Sequence, residues 1–188
     1  MSIAIDFDGV LSDTVQKWIQ IFNIHYSKKY NNLQLSYNKI TQWDFYQMYG
    51  ISHEDSRQIF AQCWEQWDSL YPTEFMLSKK IEILSKLCGT LDIVTANNST
   101  NYTYLEGFLH KHNIKYNTII FEENKEKLDY DIFIDDSPVN AQKIFDAGKS
   151  VLLYNQPWNG DIISKEKNNV FIHRVYSLDH AIHILQNK

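Results

Sequence analysis

Three short apolar runs, Ile3 to Phe7, Leu91 to Thr95 and Ile132 to Ile134, stand out along the chain, and each passes into polar residues at its C-terminal end. Runs of this length between polar boundaries predict strands buried on both faces. Thr118 to Phe121, Val151 to Tyr154 and Val170 to His173 are further strand candidates, while apolar residues recur with a helical period near 79–87, 99–112, 138–147 and 177–186. Strands that alternate with helices predict an α/β domain with a parallel sheet and helices on both faces.

The stretch from Thr14 to Lys80 breaks this alternation, since it carries helical periodicity and no buried strand. It predicts a helical insertion after the first strand. One helix would align Ile59, Cys63, Trp64, Trp67 and Tyr71 on a stripe, behind a capping-box pattern at Ser52 and Asp55. Another, from Val15 to Tyr26, gathers Trp18, Ile19 and Phe22. The division expected is a core of 1–13 and 81–188 with a cap of 14–80.

Composition narrows the function without naming it. The 188 residues, 44% of them hydrophobic, suffice for one well-cored domain with a smaller insertion. A formal net charge of -5 gives no electrostatic footprint for a polynucleotide or an anionic membrane, so neither is expected as a partner. No apolar run is long enough to cross a bilayer, and MSIAIDFDG lacks the basic and apolar regions of a signal peptide. Cys63 and Cys88 form no CxxC pattern and read as core residues. A cytoplasmic protein is the expectation, with a homodimer left open.

In open parallel sheets, functional groups gather at the C-terminal ends of the strands. Here those ends read Asp6-Phe7-Asp8-Gly9, Thr95-Ala96-Asn97 and Asp135-Asp136-Ser137-Pro138. Two acidic pairs far apart in sequence would then share one edge, which is costly unless a cation lies between them. Carboxylates without an accompanying Cys or His set favour Mg2+ over zinc. The seven histidines include His110, His112, His180 and His183, which read as surface residues. No GxSxG, HExxH, Walker or GxGxxG pattern occurs.

DFDGVLSDT after an apolar strand, a second strand ending in Thr95, a lysine and then DIFIDDSP together resemble the motif series of the haloacid dehalogenase-like (HAD) hydrolases, across essentially the whole chain. The resemblance implies a three-layer Rossmann-like fold with a small helical cap, and hydrolysis of a phosphomonoester through an aspartyl-phosphate. Position by position, it implies Asp6 as nucleophile, Asp8 as general acid and base, and Thr95, with Ala96 and Asn97, as phosphate-binding residues. Asp6, Asp8 and Asp135 would hold Mg2+, with Asp136 as the supporting acid. Lys125 is favoured over Lys127 as the motif lysine because its spacing to Asp135 resembles that of the 5'(3')-deoxyribonucleotidase branch.

That branch is also suggested by ITQWDF and YNQPWN. It implies a nucleoside monophosphate as substrate, with its base held by cap aromatics, for which Trp43, Phe45 and Tyr46 are the positional candidates. Burial of the same residues in the cap core is the competing reading. A phosphatase of sugar phosphates or another small metabolite, and a catalytically idle binding protein on this fold, are the alternatives.

Overall fold

The computed structural model describes residues 1–187. Seven strands form one sheet in the order β3-β2-β1-β4-β5-β7-β6. They are β1 (Ser2–Ile5), β2 (Thr90–Thr95), β3 (Ile119–Phe121), β4 (Ile132–Asp135), β5 (Ser150–Tyr154), β6 (Lys165–Lys167) and β7 (Val170–Val175). Every pairing is parallel except that of β6 with β7. β6 escaped the sequence reading because its three residues, Lys-Glu-Lys, are all exposed and show no apolar period.

Successive side chains on a strand point to opposite faces, so this buried sheet needs two apolar layers. Ile3 and Ile5 enter one layer with Leu91, Ile93, Ile134 and Leu152, under α4 (Leu77–Leu87), α5 (Tyr102–Lys111) and α7 (Leu178–Gln186). Ala4, Val94, Phe133, Val151 and Leu153 enter the other, beneath α6 (Pro138–Asp146). Ser137 and Ser177 cap α6 and α7 by accepting from the amides of Asn140 and His180. The three-layer arrangement agrees with the expectation from alternating strands and helices.

The insertion is helical. It contains α1 (Thr14–Ile21), continued by a π-helical turn at Phe22–Tyr26, then short α2 (Phe45–Met48) and α3 (His53–Glu65). Trp18 anchors its own small core: the indole stacks on Phe22 at 5.5 Å, meets Phe45 edge-on at 4.9 Å and donates from Nε1 to the Ser56 carbonyl. Ser52 caps α3 through the Asp55 amide, but the return arm of the box is made by Tyr30, whose hydroxyl accepts from the Ser52 amide. Of the expected stripe, Ile59, Cys63 and Trp64 are buried, whereas α3 ends at Glu65 and Tyr71 is exposed. The expected cap boundary at residue 80 falls inside α4, whose Leu77 and Ile81 pack in the main core.

The chain crosses between the two parts at neighbouring points. Asp13 N donates to Tyr71 O, and Thr73 N to Leu11 O, so entry and exit are stitched together.

Candidate functional site

β1 lies between β2 and β4, with Ile5 in register with Ile93 on one side and Ile134 on the other. Asp6, Thr95 and Asp135, at or just beyond the ends of those strands, therefore reach one edge. Above that edge, core and cap enclose a cavity of about 380 Å³ whose walls include Asp6, Asp8, Thr95, Ala96, Asn97 and Asp136.

Lys125 lies at the centre of the buried charges. Its Nζ stands 2.8 Å from Asp6 Oδ1 and 2.8 Å from Asp135 Oδ2, and the side chain is 2% exposed. Burial opposes the ammonium charge, but Asp135 and Asp6 outweigh it and hold Lys125 above the ordinary lysine value. The alternative, Lys127, is exposed. Burial pushes the Asp6 carboxyl upward, with Lys125 opposing. The Phe7 amide also donates to Asp6 Oδ1, at 2.7 Å.

The adjacent aspartates at the end of β4 differ. Asp135 is enclosed by donors: the Ser137 amide and Asn140 Nδ2 join Lys125, and this residue is not part of the cavity wall. Asp136 Oδ2 accepts from Trp158 Nε1 at 2.9 Å, while its Oδ1 is buried without a hydrogen-bond partner. Burial, then the charges of Asp6 and Asp135, raise Asp136 well above the usual carboxylate range. Gly9 leaves the space this carboxylate needs: a Cβ there would stand 2.2 Å from Asp136 Oδ2, and the Gly9 φ of +78° is itself one that glycine adopts freely.

Asp8, partly exposed to the cavity, accepts from Thr14 Oγ1 at 2.6 Å. Burial pushes its carboxyl up to about 6 against that hydrogen bond. The Thr95 hydroxyl accepts from the Asn97 amide, which is thereby turned inward, and Asn97 Nδ2 points to Asp8 Oδ2 at 3.4 Å. Asn97 thus contacts the site through its side chain, while its amide is already taken.

The cap supplies the apolar wall. Trp43 (40% exposed), Phe45 and Tyr46 all line the cavity, although Phe45 is buried against Trp18. Val15, Phe60, Trp64, Asn140 and Trp158 line it as well and were missed by sequence reasoning. Asn140 and Trp158 carried a usable signal, because each closely follows the C-terminal end of a central strand, β4 or β5.

Carboxylate oxygens of Asp6, Asp135 and Asp136 all lie within 4.8 Å of one another. One lysine cannot neutralise three clustered carboxylates, and the unpartnered Asp136 Oδ1 is an acceptor without a donor. A hard divalent cation fits this all-oxygen set.

The fold is shared widely among solved structures. A HAD-superfamily hydrolase, subfamily IA, from Geobacter sulfurreducens is similar at a TM-score of 0.58 and 14% identity, over 98% of this chain and 95% of that one. Protein tyrosine kinase A of Mycobacterium tuberculosis gives 0.65 and 12%, over 97% and 96%. A HAD phosphatase from Thermococcus onnurineus gives 0.54 and 16%, over 98% and 97%. At such identities these likenesses speak for the fold alone. Comparison with curated proteins by sequence gives no match. The sequence model of one family, "5' nucleotidase, deoxy (Pyrimidine), cytosolic type C protein", matches residues 1–176. With nearly the whole chain covered and the HAD-like fold in place, this protein belongs to that 5'-nucleotidase family and is a phosphoric monoester hydrolase.

Proposed function

We propose that the protein is a Mg2+-dependent phosphatase of (deoxy)nucleoside monophosphates that works through an aspartyl-phosphate on Asp6. The observation that carries this reading is the placement of the Asp6 carboxylate on a cavity with carboxylates at its floor and Trp43, Phe45, Tyr46, Phe60 and Trp64 in its walls. An aromatic enclosure of this size suits a planar base, which stacks on such faces, better than a sugar alone.

Lys125 and the Phe7 amide fix Asp6 Oδ1, which leaves Oδ2 as the oxygen to attack phosphorus. Thr95 and the main chain at Ala96 face the phosphoryl oxygens. Asp8, with its carboxyl near 6, is poised to give a proton to the leaving alkoxide and to take one from water when the aspartyl-phosphate is hydrolysed. Asp6, Asp136 and the main-chain carbonyl of Asp8 would hold Mg2+, whose charge would offset that of the phosphoryl oxygens in the transition state.

In this assignment the two aspartates at the end of β4 exchange the roles expected from sequence. Asp136 lines the cavity and keeps one oxygen without a hydrogen-bond partner, whereas Asp135 is consumed in holding Lys125. A reducing cytoplasm suits the two free thiols, Cys63 and Cys88.

The test is phosphate release from a panel of nucleoside 5'- and 3'-monophosphates, sugar phosphates and p-nitrophenyl phosphate, in Mg2+ and in EDTA. Nucleotides should be preferred and EDTA should abolish turnover. Undiminished turnover in EDTA, or sugar phosphates as best substrates, would overturn the proposal.

A further inference from the structure

Trp158 stands in two structures at once. It lies on the turn Pro157–Asn159 that follows β5 of the core, yet its ring packs in the cap cluster with Trp18, Ile40 and Phe45 and meets Tyr37 edge-on at 5.8 Å. The indole is 5% exposed, so its Nε1 proton needs a partner, and it finds Asp136 Oδ2 at 2.9 Å. The turn itself is held firmly: Asn159 donates from Nδ2 to the carbonyls of Asp136 and Tyr154, and Arg174 clamps Asn159 through its side chain and carbonyl.

Asp136 is thus gripped at its main chain by Asn159 and at one carboxylate oxygen by Trp158, with Gly9 leaving room for the rotamer. The other oxygen is the one left without a donor. We infer that Trp158 is a positioning residue that orients Asp136 Oδ1 toward the cation site and couples the seating of the cap to Mg2+ affinity. This rests on the reading of Asp136 as a Mg2+ ligand. A hydrogen bond that fixes a ligating carboxylate typically changes metal affinity about 10- to 100-fold when it is lost.

The experiment is Mg2+ titration by calorimetry on the full chain, comparing wild type, Trp158→Phe and Asp136→Asn, with urea unfolding of each in EDTA. Trp158→Phe keeps an aromatic ring in the cap cluster and removes the donor together with part of the indole. Its Mg2+ dissociation constant should rise about 10-fold or more while its unfolding in EDTA stays cooperative. The Trp158 indole N–H resonance, followed by NMR in the wild type, should shift on saturation with Mg2+ in the absence of substrate.

Wild-type affinity in Trp158→Phe, with Asp136→Asn impaired, overturns the positioning role alone. Wild-type affinity in Asp136→Asn overturns the ligand assignment on which it rests. If Trp158→Phe does not fold, an indole resonance unmoved by Mg2+ overturns the inference just as well.

Discussion

The Lys125 ammonium lies 2.8 Å from Asp6 Oδ1, and both side chains are at most 9% exposed. Among the described residues, this lysine supplies the only charge of opposite sign that Asp6 and Asp135 contact. Lys125→Met should therefore leave two buried carboxylates face to face, at a cost of about 3–5 kcal/mol for breaking a buried pair. Protonation of one carboxylate relieves the repulsion, so the loss in metal-free urea unfolding should be larger at pH 8 than at pH 6. A loss below about 1 kcal/mol at pH 8 would contradict this account of the buried charges.

The two aspartates of the first motif share an edge and should separate kinetically. Asp6→Asn should abolish both phosphoryl-enzyme formation and turnover. Asp8→Asn should spare p-nitrophenyl phosphate, whose leaving group needs little protonation, more than a deoxynucleoside monophosphate. Single-turnover measurements on both substrates decide it. Accumulation of phosphoryl-enzyme in Asp6→Asn, or equal proportional losses in both variants, would remove the division of labour.

Trp43 and Phe45 are near neighbours with different expected consequences. Trp43 is 40% exposed on the cavity wall, so Trp43→Ala should cost nucleotide turnover about 1–3 kcal/mol in transition-state binding and leave p-nitrophenyl phosphate unaffected. Phe45 is buried edge-on to Trp18, and Phe45→Ala should instead destabilise the cap by about 3–5 kcal/mol. Kinetics and thermal unfolding of both variants test the contrast; a Trp43→Ala enzyme equally impaired on both substrates would make Trp43 structural.

In EDTA, stability should rise on mild acidification. Burial lifts Asp8 from 3.8 to about 6, so between those pH values the native state holds a proton that the unfolded chain has released. Stability from this group increases as pH falls through that window, and Asp6 and Asp136, also raised, act in the same direction. Asp55 acts oppositely: hydrogen bonds from Lys29 and Tyr30 lower it, and its contribution is lost as pH falls below the ordinary carboxylate range. Melting temperature in EDTA should therefore rise as pH falls from about 7.5 to about 5.5, and Mg2+ should raise it most above pH 7. A melting temperature in EDTA that falls steadily from pH 7.5 to 5.5 would refute this.

Much of the core was legible because its strands are buried on both faces, which forces runs such as Ile3 to Phe7 and Leu91 to Thr95. The aspartates at the strand ends were legible for the same reason, since each terminates a run. Which of Asp135 and Asp136 faces the cavity was not, because adjacent residues leaving a strand diverge and the turn at Ser137 decides between them. Which group Trp158 would bond was equally hidden. Its hydrogen bond to Asp136 spans 22 residues and depends on how the turn after β5 folds back. In the cap, periodicity placed Trp18 and Cys63 correctly in the core but carried the stripe on to Tyr71, past the end of α3.

The single antiparallel strand at the rim has a bearing on self-association. β6 closes one side of the sheet with Lys165, Glu166 and Lys167, all exposed, and β3 closes the other with only three residues. An outer strand studded with charge resists being zipped onto a neighbour, and a very short one offers too few amide and carbonyl groups to template it. Two copies of this chain are thus discouraged from merging their sheets into one, so a homodimer would have to be assembled through helices or the cap.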